Sequence, residues 1–216
     1  MKNYFIEILI LFLMGITFLK AQDIQVGISS GSNFYGSTSW RNWDLNYEIY
    51  IADINGDGKA DFIGRNRRTS MIKVGISNGN GFSISSGSWN ENYWDLNYDI
   101  HIADVNGDGM ADIIGRSEID GDIQVGISSG SNFYGSTSWG NWDLNYDIHI
   151  ADVNGDGKAD FIGRNRRTSM IKVGISNGNG LSTSRGSWNE NYWDLNYDIH
   201  IADVNGDGMA DIIGRK

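Results

Sequence analysis

Cysteine and proline are both absent from this chain of 216 residues. The first absence removes disulfides and thiolate metal sites, and it leaves no residue to carry a lipoprotein anchor. With no proline, tight turns fall to glycine, present 29 times, and to its Asn and Asp neighbours. Positive charge is scarce. The formal net charge is −10, which argues against nucleic acid or an anionic membrane as partner. No Ser-His-Asp set stands apart from the internal repetition, and there is no glycine-rich phosphate loop. Beyond the N-terminal stretch no segment holds a helical period.

What the chain has instead is one nine-residue stretch, D-[IV]-N-G-D-G-[KM]-A-D, four times over. Oxygen-bearing side chains fall at its positions 1, 3, 5 and 9. These are Asp53, Asn55, Asp57 and Asp61, then Asp104, Asn106, Asp108 and Asp112. The third and fourth copies give Asp152, Asn154, Asp156 and Asp160, and Asp203, Asn205, Asp207 and Asp211. Position 7 adds the backbone carbonyl of Lys59, Met110, Lys158 or Met209. Such a set, with a water, suits Ca²⁺, a hard cation that takes six to eight oxygens. Without a cation, three carboxylates so close together repel one another. An Asn-Gly and Asp-Gly hairpin turn explains the glycines but needs neither the first nor the last Asp. An EF-hand is excluded: its position 12 needs a bidentate Glu, and here it is Gly64, Gly115, Gly163 or Gly214. Up to four Ca²⁺ are therefore expected, each joining two strands.

Residues 1–21 read as a secretory signal: Lys2, an apolar run from Ile8 to Leu19, and Ala21 before the cleavage point. The run is short for a membrane span, although an uncleaved anchor has the same ingredients. Export to an extracellular or periplasmic compartment fits weak calcium sites. The remainder, 22–216, is repetitive throughout. Loops start at 53, 104, 152 and 203, so the spacings are 51, 48 and 51. Asp23-Ile24-Gln25-Val26-Gly27-Ile28-Ser29 recurs from Asp122, 99 residues on, which points to duplication of a two-unit block.

Each unit contains four strand-like runs, here called A to D. In one unit A is Tyr98 to Ile102, B is Ala111 to Gly115, C is Asp122 to Ile127, and D lies near Tyr134 to Trp139. Four strands in about 50 residues is the mark of a propeller blade. The chain opens on a C–D pair and closes on an A–B pair, so joining the two completes a fourth blade. The expected fold is all-β, a four-bladed propeller closed by its terminal strands. Two chains forming an eight-bladed ring, or part of a larger propeller, are the alternatives.

The unit IADVNGDGMADIIGR…IQVGISSGSNF…SW resembles the FG-GAP and VCBS repeats of integrin-α-like propellers, over residues 23–215. In repeat type it looks most like fungal integrin-like propeller lectins. The resemblance implies calcium held between strands A and B of each blade. The sugar-binding residues of those lectins do not map onto this chain, so only the class carries over.

Two other sets of residues bear on function. His101, His149 and His200 share one repeat position with Tyr50, and together ring a channel if strand A is innermost. Three imidazoles suit Zn²⁺, but a Tyr in the fourth place favours packing. Four aromatic pairs bracket the connectors from D to A. They are Trp40 and Trp43, Trp89 and Trp94, Trp139 and Trp142, and Trp188 with a partner expected at position 194. Two connectors carry insertions, Asn90 to Tyr93 and Asn189 to Tyr192. Trp43, Trp94, Trp142, position 194, Tyr93 and Tyr192 are the candidate sugar contacts, since aromatic faces stack on CH groups. The competing role is inter-blade core. Arg65 to Arg68 and Arg164 to Arg167 read as solvated basic turns. The expected protein is a secreted, non-catalytic binding module for glycan, as monomer or homodimer. A protein-interaction or adhesion module and a polysaccharide lyase are the alternatives.

Overall fold

The computed structural model describes residues 22–89, 94–183, 187–188 and 193–216. The expected signal at 1–21 and both tyrosines of the insertions, Tyr93 and Tyr192, lie outside these. The chain divides into two compact units, Met1–Tyr47 and Glu48–Lys216. No helix occurs among the described residues, and none is long and apolar enough to cross a membrane.

In the first unit β1 (Gln22–Ser29) and β2 (Phe34–Trp43) pair as an antiparallel hairpin. The second unit holds three four-stranded antiparallel sheets. The first contains β3 (Tyr47–Ala52), β4 (Asp61–Asn66), β5 (Ile72–Ser77) and β6 (Phe82–Ile84). The second contains β7 (Tyr98–Ala103), β8 (Asp112–Ser117), β9 (Asp122–Ser128) and β10 (Phe133–Asn141). The third contains β11 (Tyr146–Ala151), β12 (Asp160–Asn165), β13 (Ile171–Ser176) and β14 (Leu181–Thr183). The chain ends in a two-stranded sheet of β15 (Asp198–Ala202) and β16 (Asp211–Arg215). The strand order within each four-stranded sheet follows the chain, as a meander.

Alternation explains the strands. In β5, Ile72 and Val74 are buried while Lys73 is only partly covered. In β9, Ile123 and Val125 are buried while Asp122 and Gln124 are partly covered. Side chains on a strand alternate faces, so each sheet presents apolar residues to its neighbour. The cores accordingly lie between consecutive sheets. Ile54, Ile63 and Val74 of the first pack with Trp94, Ile113 and Phe133 of the second. Val105, Ile114 and Val125 of the second pack with Trp142, Tyr146 and Phe161 of the third.

The step from one sheet to the next is built by the same backbone bond each time. The N–H of Ala111 donates to the carbonyl of Asp53, that of Ala159 to Asp104, and that of Ala210 to Asp152, all at 2.7 Å. Arginine adds a second link. Arg65 Nη1 donates to the carbonyl of Tyr98 at 2.7 Å, Arg116 to Tyr146 at 2.6 Å, and Arg164 to Tyr197 at 2.7 Å. The basic-turn reading is corrected for two of these residues. Arg65 and Arg164 are buried: each donates to carbonyls at the start of the next sheet, and Arg65 also pairs with Glu48 of its own sheet at 2.6 Å. Only Arg67, Arg68, Arg166 and Arg167 are exposed.

Candidate functional site

The nine-residue loops connect the first and second strands of each sheet, as expected. Glycines at positions 4 and 6 hold positive φ, at 75° and 79° in the first loop. That turns successive backbone N–H groups inward. Asp53 collects them: Oδ1 accepts from Gly56 N at 2.8 Å and Oδ2 from Gly58 N at 2.6 Å. Asp104, Asp152 and Asp203 repeat both bonds. Asn55 Oδ1 accepts from Asp57 N at 3.0 Å, and Asp57 Oδ1 from Lys59 N at 2.9 Å.

Position 9 behaves differently. Asp61, Asp112 and Asp160 are fully buried. Asp112 accepts from Val105 N in its own loop at 3.1 Å and from Ser128 N on β9 at 2.7 Å. It thus ties the loop to the third strand. Burial pushes its carboxyl up to about 7, with Asp108 and Asp104 adding repulsion against two backbone hydrogen bonds that oppose it. Asp61 and Asp160 are raised for the same reasons. Asp57 is exposed and held low by Lys59, whose Nζ lies 3.0 Å away.

In kind, the donors fit a hard cation: three carboxylates and an amide oxygen per loop, one carboxylate buried in each of the first three. Among the described residues no three His, Cys, Asp or Glu side chains gather as a metal set, and the first Asp of the loop accepts from its own loop amides.

The four expected channel residues do come together. Tyr50, His101, His149 and His200 line a cavity of about 520 Å³ between β3, β7, β11 and β15. His101 Nε2 lies 3.4 Å from Asp99, and His200 Nε2 lies 3.4 Å from Asp198. The His101 side chain holds the Asp99 carboxyl below its ordinary value. Burial pushes His149 below the ordinary imidazole value, outweighing Asp147, with His101, His200 and Arg164 adding to the depression.

The tryptophan candidates need correction. Trp43, Trp94 and Trp142 are 7, 1 and 5% exposed and do not offer a face to a sugar. The fourth contact is wrong in place as well as role. Position 194 holds Asp194, a carboxylate with no ring to stack, and the indole stands one residue earlier, at Trp193. The repeat of 99 residues carries Trp94 onto Trp193 and Asp95 onto Asp194. Asp194 caps the turn into β15 instead. Its Oδ1 accepts from Asn196 N at 2.8 Å, and its carbonyl accepts from Arg164 Nη2.

All these rings lie over strand glycines or tyrosines. A Cβ at Gly115 would sit 2.5 Å from Trp94 Cζ3, and one at Gly163 would sit 2.6 Å from Trp142 Nε1. Trp193 is half-buried over Gly214. Trp43, Trp94, Trp142 and Trp193 each meet a Tyr edge-on: Tyr47, Tyr98, Tyr146 and Tyr197. The glycine three places past the second, third and fourth loops is thus the seat of an indole. Trp188 is exposed at 55%.

Around Trp142 the connector leaves a small pocket of about 140 Å³, lined by Trp142 itself and by Asn141, Asp143, Tyr146, Lys172 and Thr183. Lys172 Nζ lies 5.6 Å over the Tyr146 ring, and Asp143 accepts from Asn145 N at 2.8 Å. Hydrogen bonds from Asn145 keep the Asp143 carboxyl ionised to lower pH than usual. Sequence reasoning missed Lys172 and Thr183, which reach this pocket from β13 and β14.

Consecutive antiparallel sheets, each with an acidic strand-to-strand loop, define an all-β repeat protein. Residues 53–115 and 152–214, more than half of the chain, match the FG-GAP-like repeat. The chain belongs to the FG-GAP-like repeat family, which implies a propeller-like fold. No curated protein matches it. Among solved structures it is similar to the Photorhabdus luminescens Tc holotoxin pore, with TM-score 0.56 and 20% identity. That similarity covers 77% of this chain but 8% of the toxin chain. It is also similar to the V. cholerae biofilm matrix protein Bap1, with TM-score 0.36, 23% identity, and 78% and 28% of the two chains covered. At 20% identity the similarity to the toxin speaks to fold alone.

Proposed function

We propose that the chain is an exported, non-catalytic binding module, stabilised by up to four Ca²⁺ and directed at carbohydrate. Support for calcium comes from the buried Asp112 carboxylate beside Asp104 and Asp108, which a cation would relieve. Asp53, Asn55, Asp57, Asp61 and the Lys59 carbonyl would hold it in the first loop, and their counterparts in the others. When bound, the ion supplies charge neutralisation and cross-links the loop. Since Asp53 is already engaged by its own amides, the ion competes with them, which suits the weak affinities of extracellular calcium modules.

The carbohydrate reading is carried by the pocket at Asn141, Asp143, Lys172 and Thr183. Amide, carboxylate, ammonium and hydroxyl groups line it, a set that suits sugar hydroxyls. Its small volume suits one sugar unit at a time, and avidity would come from repetition.

A glycan array with the intact protein, followed by Asp143→Ala and Lys172→Ala, tests this. Retention of a glycan by the wild type that either variant loses is the expected result. No retention of any glycan by a folded protein overturns the carbohydrate reading and leaves a protein-interaction module.

A further inference from the structure

The contact between consecutive repeats is heterologous, and the second unit carries it three times with nearly constant geometry. The seventh residue of each following loop lies over the fourth residue of the loop before. A Cβ at Gly56 would sit 3.2 Å from Met110 Cγ, one at Gly107 3.2 Å from Lys158 Cγ, and one at Gly155 3.2 Å from Met209 Cγ. The hairpin turn after each third strand also reaches back. Gly130 lies against Asn55 and Gly178 against Asn106, with Cβ positions 3.6 and 4.0 Å from the Asn Cβ. Ser128 Oγ donates to the carbonyl of Ile54, and Ser176 Oγ to that of Val105, both at 2.6 Å.

Among the described residues, both ends of the second unit present one half of this contact with nothing against it. At the tail, a Cβ at Gly206 would meet no atom within 4 Å, where repetition calls for a residue in the place of Lys59. Val204 is 65% exposed, whereas its counterparts Ile54 and Val105 are fully buried. The Arg215 side chain is 81% exposed and reaches Asp198 of its own sheet, where Arg65, Arg116 and Arg164 hold the next sheet. At the head, a Cβ at Gly79 meets nothing within 4 Å, although Gly130 and Gly178 rest on the preceding loop. The first and fourth repeats of one chain therefore do not satisfy each other.

We infer that the head and tail faces are two halves of one interface filled by a second copy of this chain, giving a closed two-chain ring of eight repeats. The partner's first repeat docks on the Gly206 face, and its β1–β2 hairpin completes the β15–β16 sheet. An apolar slot of about 250 Å³ waits there, lined by Ile162, Ile171, Trp188, Trp193 and Ile212. Phe34 of β2 is 75% exposed. Its repeat counterpart Phe133 is buried, ring centroid 5.5 Å from that of Trp89, the counterpart of Trp188. The partner's Phe34 fills the slot in the same way. Eight blades lies within the usual range for propellers, whose radial repetition leaves only short, protected sheet edges. The inference does not depend on the calcium or carbohydrate reading.

Light scattering on the full chain should return twice the mass of one chain, and a single-chain mass overturns the inference. Because the protein has no cysteine, a cross-link reports the interface directly. Asn205→Cys with Gly79→Cys places two thiols at the Cβ spacing of the internal pairs, within the roughly 3.5–4.5 Å of a disulfide. Asn55→Cys with Gly130→Cys is the internal control and should close within one chain. After mild oxidation the Asn205→Cys, Gly79→Cys variant should run on a non-reducing gel at double mass. A cross-link at single mass, which means self-closure, or a ladder of higher masses overturns the two-chain ring.

Discussion

Arg116 donates to the carbonyl of Tyr146 at 2.6 Å, from the end of one sheet to the first residue of the next. Its other arm lies 3.5 Å from Asp99. A single guanidinium thus serves the sheet it leaves and the sheet it meets. Arg116→Ala should lower the unfolding free energy by about 2 kcal/mol, since a charged donor is lost and a carbonyl stays buried without it. Arg116→Lys should recover less than half, because a point charge cannot span both partners. Urea titration reads both variants, and an unchanged Arg116→Ala midpoint would make the link incidental.

Gly115 faces the indole of Trp94 so closely that a methyl group has no room. Gly115→Ala should therefore cost about 3 kcal/mol, at the upper end of overpacking in a core. Trp94→Leu, which removes the ring, should lower stability by itself yet reduce the cost of Gly115→Ala in its background to what the Tyr98 ring, 2.9 Å from the same Cβ, still imposes. A double-mutant cycle gives the coupling, and additive losses would refute the seat-and-ring account.

Much of the fold was legible because alternation and a repeated acidic loop are properties of the chain itself. Ile72, Val74, Ile123 and Val125 declare one buried face by spacing alone, and β5 and β9 fall where they do. The tryptophans were not legible in the same way. An indole is as suited to stacking on a sugar as to covering a backbone, and residue type does not say which. The sign was in Gly115, Gly163 and Gly214, which a propensity argument reads as weak strand positions and which make room for the rings. The same register would have put the fourth indole at 193 rather than 194, since Trp193 and Gly214 keep the spacing of Trp94 and Gly115. Arg65 and Arg164 were misleading for a similar reason. Within Arg-Asn-Arg-Arg they look like one solvated cluster. Yet the first Arg alone recurs in all four repeats, as Arg65, Arg116, Arg164 and Arg215. Lys172 and Thr183 were out of reach, because only the sheet register brings them to Trp142.

Calcium dependence separates an ion site from an amide-filled turn. Asp57 is exposed and bonds within its own loop and to Lys59, so Asp57→Ala should change stability little in EDTA. In millimolar calcium, about a tenfold excess over Kd for such weak sites, the wild type should gain about 1.4 kcal/mol per site, and the variant should miss one such increment. Differential scanning calorimetry with and without EDTA measures this. Equal melting temperatures for the wild type in calcium and in EDTA would eliminate the ion from the loops.

His149 gives the fold an acid limit. It is half-buried in the cavity between the first strands, and burial together with His101, His200 and Arg164 lowers its pKa below the ordinary 6.5, against the pull of Asp147. In the unfolded chain the imidazole takes its proton near 6.5, whereas the folded one resists until lower pH. The stability that neutral His149 provides is therefore complete above that value and is lost as pH falls from there through the lowered folded value. His149→Gln removes the group, so the difference in urea midpoint between wild type and variant should change across that window and be flat at higher pH. Taking the difference at constant calcium cancels the carboxylates common to both. A difference independent of pH between 5 and 8, roughly the range in which a histidine titrates, would mean that His149 is as easily protonated folded as unfolded.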